Sequence, residues 1–306
     1  MLEGGQARTV DPGVAFRDES VPRGGSIWLD VARRFGRHRM AVASLVVLVL
    51  LAAVSIGAPL LTPYNPGAVN LLQANLPPSP QHLLGTNELG TDFLTQLLYA
   101  GRISLLIGFS TMLVACTLGT LVGGIAGYAG GWTDVLLMRL VELMLSFPSL
   151  FLLLILISYM GGHASVLLMV LYLGAFGWMG IARLVRAEVL RLRTMEFAEA
   201  ARAAGAARVR IVARHILPNA IAPVVVAGTF AAAGAMLAEA ALDYLGFGLP
   251  PGTASWGNML DNANTFALTQ PMWLLWPGIA ITVSVVALNF IGDALRDALD
   301  PHGEHS

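Results

Sequence analysis

Along the chain, apolar stretches of about twenty residues alternate with short polar segments, and that alternation predicts six membrane-spanning helices. About 20 residues suffice to cross the hydrocarbon core. The first stretch, residues 40–61, is uncharged, and Pro59 and Pro63 end it. The second covers roughly 103–128, with Gly119, Gly123 and Gly127 at every fourth position, a spacing that lets another helix approach closely. From Leu143 to Ala182 no residue is charged. That run is too long for one span and suits two, at about 135–159 and 164–184, broken outside at Gly161-Gly162-His163. Spans five and six follow at roughly 219–241 and 272–292. Pro148 is expected to kink span three, and Arg139 and Glu142, three residues apart, to pair at its inner end.

Charge orients these spans. All 18 basic residues are arginines, and all except Arg102 and Arg139 fall in segments that the alternation puts on one side. The segments 62–101 and 243–272 carry Glu88, Asp92, Asp243 and Asp261 and no arginine apart from the boundary. By the positive-inside rule they are outer, and both termini are cytoplasmic. Arg102, at an outer end, is expected to snorkel to the interface, and Asp243 and Asp261 to be solvated loop residues. Residues 1–25 are polar with Gly and Pro and read as a disordered cytoplasmic tail, without the cleavage site of a signal peptide. With Ser26 as N-cap, residues 26–39 set Trp28, Val31, Ala32 and Phe35 at helical spacing beside Arg33, Arg34 and Arg37. They read as an amphipathic interfacial helix on membrane lipid, or alternatively as an inward extension of span one. Residues 294–306 form a second cytoplasmic tail.

Composition agrees with this all-α, polytopic class: 56% of the residues are hydrophobic and 12% charged, with mean hydropathy +0.70, against about 25% charge in a soluble domain. It also excludes several chemistries. Without lysine there is no P-loop, so ATP and Mg are not bound by this chain. A lone cysteine, Cys116, permits no internal disulfide. The six histidines show no metal-ligand spacing, and no metal or cofactor is expected. No nucleic-acid partner is implied. An intramembrane enzyme would need a Ser/His pair, an Asp pair at mid-membrane or a zinc motif, and the apolar spans show none.

The most charged stretch is the inner loop 188–218, with eight arginines between 183 and 214. Thr194 can cap a helix running to about Ala204, with Glu196 and Glu199 near its positive end. Gly205 fits the left-handed position just past a helix end. A second helix, about 206–217, is expected, with Pro218 marking the turn into span five. Ala200, Ala201, Ala203 and Ala204 would allow close approach of a partner, and Arg202 lies within reach of Glu199. The alternative is an arginine-rich loop that only anchors topology on lipid headgroups.

The spacing of Glu199-Ala200-Ala201, Gly205 and His215-Ile216-Leu217-Pro218 resembles the cytoplasmic coupling (EAA) loop of permease subunits in bacterial ABC importers. Residues 84–92 (Leu-Gly-Thr-Asn-Glu-Leu-Gly-Thr-Asp), 238–242 with Leu245-Gly246, 255–260 (Ser-Trp-Gly-Asn-Met-Leu) and 292–301 also match. They are closest to the second permease of the dipeptide, oligopeptide and nickel importers. The chain departs from that pattern at Asn87, Thr91, Asp243 and His302. The resemblance implies the type I importer permease fold over a 102–293 core, and a pore shared with a second permease subunit. It implies two ATPase subunits, one of which receives the 188–218 loop through Glu199, Ala200, Ala201, Gly205, His215, Leu217 and Pro218, and an outer solute-binding protein. The substrate implied is a di- or oligopeptide, or else nickel or another small solute.

Glu239, near the outer end of span five, is a candidate for the substrate path, because carboxylates at bilayer depth are costly. The plainer reading is a helix-end carboxylate satisfied by loop amides or a partner chain. An autonomous channel or secondary carrier would place charged residues inside several spans, and here the span cores lack them. Phe147, Phe151, Trp178 and Trp276 read as lipid-facing or packing residues.

Overall fold

The computed structural model describes residues 27–299. The 1–25 tail, the Ser26 cap, and Asp300, Pro301 and His302 lie outside them. Among the described residues the regular structure is helical, apart from an isolated bridge between Thr86 and Asp92.

Helix α1 (Ile27–Arg37) and helix α2 (Arg39–Ile56) are separated at His38, which leaves the helical region and caps α2 by accepting the Ala41 amide at 3.2 Å. The amphipathic segment is therefore a helix of its own rather than a prolonged first span. Its Val31 is buried, and Phe35 packs into the core. A single turn, α3 (Ala58–Leu61), completes span one beyond Gly57.

Helix α4 (Phe93–Ala129) runs for 37 residues, about 55 Å at 1.5 Å per residue. It starts some ten residues before the expected second span. The cause is Asp92, whose Oδ1 accepts both the amide and the hydroxyl of Thr95 at 2.7 Å. Such a cap satisfies donors at the helix start. The other oxygen of Asp92 meets His82 Nδ1 at 2.9 Å, tying the outer segment 62–92 to the helix. Asn87 and Thr91, two of the departures from the family pattern, are buried in that segment. Asn87 Oδ1 accepts the Leu89 and Thr91 amides, and Thr91 Oγ1 donates to the Ala68 carbonyl.

Span three is broken rather than kinked. Helices α5 (Gly131–Leu145) and α6 (Ser149–Tyr159) meet at 74° around Ser146-Phe147-Pro148. Proline lacks the N–H that would continue the ladder and disfavours helical geometry in the residue before it. The expected Arg139–Glu142 pair is present at 2.9 Å, on an exposed face.

Helix α7 (Val166–Leu192) packs along α4. A Cβ at Gly119, Gly123 or Gly127 would lie 2.7 Å from Ile181, 2.3 Å from the Ala182 carbonyl oxygen or 2.9 Å from the Arg186 carbonyl oxygen. The glycine stripe thus sets the α4–α7 distance. Helix α10 (Leu217–Tyr244) packs on both α4 and α7, α12 (Pro271–Leu299) packs on α10, and α2 on α12 and α4. A short helix, α11 (Trp256–Asn264), is folded into the outer loop between α10 and α12. Asp261, expected to be solvated, is half-buried on it.

Three apolar clusters hold this together. One gathers Phe93, Met236, Trp256, Trp273 and Leu288; a second, on the inner-loop side, gathers Val141, Trp178, Val185, Ile211 and Ile216; a third joins α6 to Ile107 and Leu242. Outside them, large apolar side chains such as Leu50, Leu136, Phe151 and Leu171 are exposed. That is the surface of a chain whose solvent is lipid or an apolar neighbour. Helices α2, α4, α7 and α12, and the continuous run 209–244, are each long and apolar enough to cross a membrane. Helices α5 and α6 qualify only as one bent span, which makes six in all.

Arg102 has backbone partners at the end of α2. Its guanidinium donates to the Ser55 carbonyl at 2.6 Å and to that of Ile56, and stacks over Tyr99 at 4.6 Å. It satisfies the last carbonyls of α2, where a cation also meets the negative end of the helix.

Candidate functional site

The inner loop is a braced elbow. Thr194 does not cap its first helix. Its hydroxyl donates backwards to the Arg191 carbonyl at 2.9 Å, and α8 (Glu196–Ala203) starts after Met195 with no side-chain cap. The end of α8 follows expectation. Gly205 has φ +76, its amide donates to the Arg202 carbonyl at 3.0 Å, and the Ala206 amide donates to Ala201 at 3.1 Å. These two bonds close a Schellman motif, whose left-handed residue is best a glycine.

The second loop helix differs from expectation. A turn of helix, α9 (Arg208–Ile211), passes through one π turn, Val212–Ile216, straight into α10, so 209–244 is one rod. Pro218 marks no turn. It falls in the first turn of α10 just after the π turn, where a missing N–H is tolerated. The side-chain Nδ2 of Asn219 donates to the His215 carbonyl at 2.6 Å.

The base of the elbow is buried and its rim exposed. Ala198 packs with Leu192, Ile211, Ile216 and Ala220, and Ala201 and Ala206 lie against the same cluster. Glu199, Ala200, Ala203, Ala204 and Gly205 face outward, as do Phe197 and Val209, the latter 78% exposed. Of the sequence-predicted residues, Glu199, Ala200 and Gly205 therefore share the rim, with Ala201 half-buried behind them. Glu199 and Leu217 line one open cleft of about 790 Å³ with Tyr128, Arg193, Arg202 and Val212. His215 is half-buried and Pro218 exposed, and neither borders that cleft.

Arginines do the bracing, and the sequence did not single them out for it. Arg193 Nη1 donates to the Gly127 carbonyl at 2.9 Å. Arg202, expected to reach Glu199, instead donates to the Ala198 carbonyl at 3.2 Å and to that of Arg193. Arg186 forks onto Asp134 at the start of α5 through both carboxylate oxygens. These hydrogen bonds hold the Asp134 carboxyl below its usual range and raise the guanidinium. Arg191 pairs with Glu188 in the same way, one turn apart. No local pattern announces the contacts to Gly127 and Asp134, because both partners lie more than fifty residues away.

The outer candidate sits elsewhere. Glu239 is fully buried between α10 and α4, where Ser104 Oγ lies 3.3 and 3.4 Å from its two oxygens. It borders none of the larger cavities. Asp243, expected to be solvated, is 1% exposed. It lies on the last turns of α10, where the outer loop folds back over it. The sequence signal that could have revealed this is the pair of glycines facing it: a Cβ at Gly248 or Gly257 would collide with its carboxylate.

Helices long and apolar enough to cross a membrane, joined by an exposed helical elbow, define a polytopic membrane protein. The chain belongs to the family described as binding-protein-dependent transport system inner membrane components, which it matches over residues 119–303. Residues 26–78 match the N-terminal transmembrane domain of oligopeptide transport permease C. It is 38% identical over 288 residues to a putative peptide permease protein of Brucella suis, covering 94% of this chain and 95% of that one. The oligopeptide transport system permease protein OppC of Haemophilus influenzae is 38% identical over 291 residues, covering 94% and 93%. A putative peptide transport system permease protein of Brucella abortus is 40% identical over 273 residues, covering 88% and 90%.

Proposed function

We propose that this chain is the permease subunit of an ATP-driven importer of di- or oligopeptides, and that its inner elbow receives the motion of separate ATPase subunits. On this reading ATP and Mg belong to two such partners, a second permease completes the pore, and an outer binding protein delivers the peptide. Both chain termini then face the cytoplasm, as the arginine distribution indicates. The peptide assignment rests on relatives named as peptide permeases and aligned along nearly their whole length.

The observation that carries the coupling role is the contrast between rim and base. The rim at Glu199, Ala200 and Gly205 is small-featured and open, so a partner groove can close on the backbone. The base is fixed to α7 through Arg202 and Arg193, to α4 through Gly127, and to α10 through an unbroken helical rod. A push on the elbow therefore moves span ends rather than bending a loop. Such an element has the rigidity needed to bias a two-state bundle. Its substrate would cross among polar and backbone groups, since the span cores lack charge.

The test is uptake of a labelled peptide by proteoliposomes holding the full complex. Gly205→Pro forces φ to about −65° where +76 is required, and Glu199→Lys inverts the charge on the rim. Both variants are expected to insert normally and to lose ATP-dependent uptake. Wild-type uptake by either one overturns the coupling role.

A further inference from the structure

The outer ends of α4, α10 and α11 meet around two carboxyl groups. Glu239 and Asp243 are 0% and 1% exposed. Their spacing of four residues puts both on one face of α10, one turn apart. Among the described residues no cation lies within ion-pairing distance of either. Arg102, two residues before Ser104 on α4, turns its guanidinium to the carbonyls of α2. The loop 245–255 contains no titratable side chain, and the one on α11, Asp261, is a further carboxylate. Two ionised carboxylates enclosed this way lose their hydration and repel each other, so such a pair retains a proton.

Their donors are unequally shared. Asp243 Oδ1 accepts the Leu249 amide at 2.7 Å, and Oδ2 accepts the Ser255 hydroxyl at 2.5 Å. Ser255 is the N-cap of α11, so this carboxylate also faces the positive end of that helix. Glu239 is reached by the Ser104 hydroxyl at 3.3 Å or more, and that hydroxyl accepts the Trp256 amide at 3.1 Å. The space around Asp243 is cut to fit: a Cβ would lie 1.6 Å from Oδ1 at Gly248 and 2.6 Å from Oδ2 at Gly257.

We propose that Glu239 and Asp243 hold one proton between them, Glu239 as the neutral donor and Asp243 as the ionised acceptor, and that this pair is the latch positioning α11 against α4 and α10. Donor–acceptor order follows from the inventory: the oxygens with strong donors keep the charge, and the poorly served carboxyl keeps the proton. Glu239 then presents no negative charge to a passing solute. The role is one of positioning, and it stands whatever solute crosses.

The test is infrared difference spectroscopy on the full chain in nanodiscs at neutral pH, within the complex it purifies with, together with thermal inactivation. Wild-type protein is expected to show the C=O stretch of a buried protonated carboxyl, and Glu239→Gln to lose it. Glu239→Gln should keep the wild-type half-life at elevated temperature, because its amide still donates to Asp243. Glu239→Leu, which removes the donor, and Asp243→Asn, which removes the acceptor charge, should each shorten that half-life by about tenfold, as for one hydrogen bond to a charged group. A wild-type spectrum without the band, or one that Glu239→Gln leaves unchanged, overturns the proton assignment. A Glu239→Gln variant as short-lived as Glu239→Leu overturns the latch.

Discussion

Arg193 Nη1 donates to the Gly127 carbonyl at 2.9 Å, so the residue that ends α7 grips the last turn of α4. The same residue's carbonyl accepts from Arg202 on α8. One side chain and one carbonyl thereby join the elbow to the packed α4–α7 pair. An arginine suits this place because its fork of donors reaches carbonyls at a helix end, where the backbone leaves them unpaired.

Removing that grip should separate motion of the elbow from motion of the bundle. Arg193→Ala is expected to leave ATP hydrolysis by the complex near its wild-type rate. Peptide uptake should fall about tenfold, the scale of one lost hydrogen bond to a charged group. Parallel hydrolysis and uptake assays in proteoliposomes read this out. A proportional fall in both would mean the residue only stabilises the fold.

Two neighbouring glycines of α4 should behave in opposite ways. A Cβ at Gly123 would lie 2.3 Å from the Ala182 carbonyl oxygen, against backbone that cannot swing aside, whereas one at Gly124 would lie 3.5 Å from the end of the Leu217 side chain. Gly123→Ala should therefore cost about 1–3 kcal/mol through overpacking. Gly124→Ala should be neutral or stabilising by up to about 1 kcal/mol from helix propensity. Melting of the detergent-solubilised complex distinguishes them, and equal melting temperatures would refute the packing argument.

What the sequence revealed of this molecule was its local and periodic content. Span positions, the left-handed Gly205, the Arg139–Glu142 pair and the glycine stripe all follow from spacing along one segment. The stripe announced a close neighbour without saying that it is α7. The misreadings arose where distant chain decides the outcome. Asp243 read as a loop residue because the fold-back of Leu249 and Ser255 over it is signalled only by Gly248 and Gly257, which the spacing of charges and apolar runs passes over. The carbonyl partners of Arg102 were not foreseen because they lie 46 and 47 residues away. Pro218 read as a turn because proline usually ends a ladder, and the π turn before it is invisible to residue patterns. Of the elbow, the exposed rim was legible and the arginine braces were not.

Stability of the inner end should depend on pH through Asp134. Its carboxyl is held below the usual carboxylate range, first by hydrogen bonds from Arg186 and then by charge attraction to Arg186 and Arg193. A depressed folded value means the contribution is complete above the ordinary range near 4. It is lost as pH falls through the lower folded value. Side-chain exposures of 14% for Asp134 and 34% for Arg186 keep it modest, about 0.5–1 kcal/mol. Between neutral pH and about pH 3, wild-type melting should fall more than that of Asp134→Asn. Identical pH profiles would show that the pair contributes nothing.

The bend between α5 and α6 has a chemical cause that can be removed. Pro148 offers no N–H to continue the ladder from Met144, and its ring restrains Phe147, while Ser146 Oγ donates back to the Glu142 carbonyl at 2.8 Å and closes α5 early. Pro148→Ala restores the donor and lifts the restraint, in a stretch whose leucines and isoleucines otherwise favour helix. The two helices should then straighten from 74° towards one continuous span. Spin labels at the exposed positions Leu136 and Tyr159, on a background in which Cys116 is replaced by alanine, should move apart by on the order of 5 Å, given 1.5 Å of rise per residue. An unchanged distance would place the cause of the bend in packing against α4 and α7 instead of in the proline.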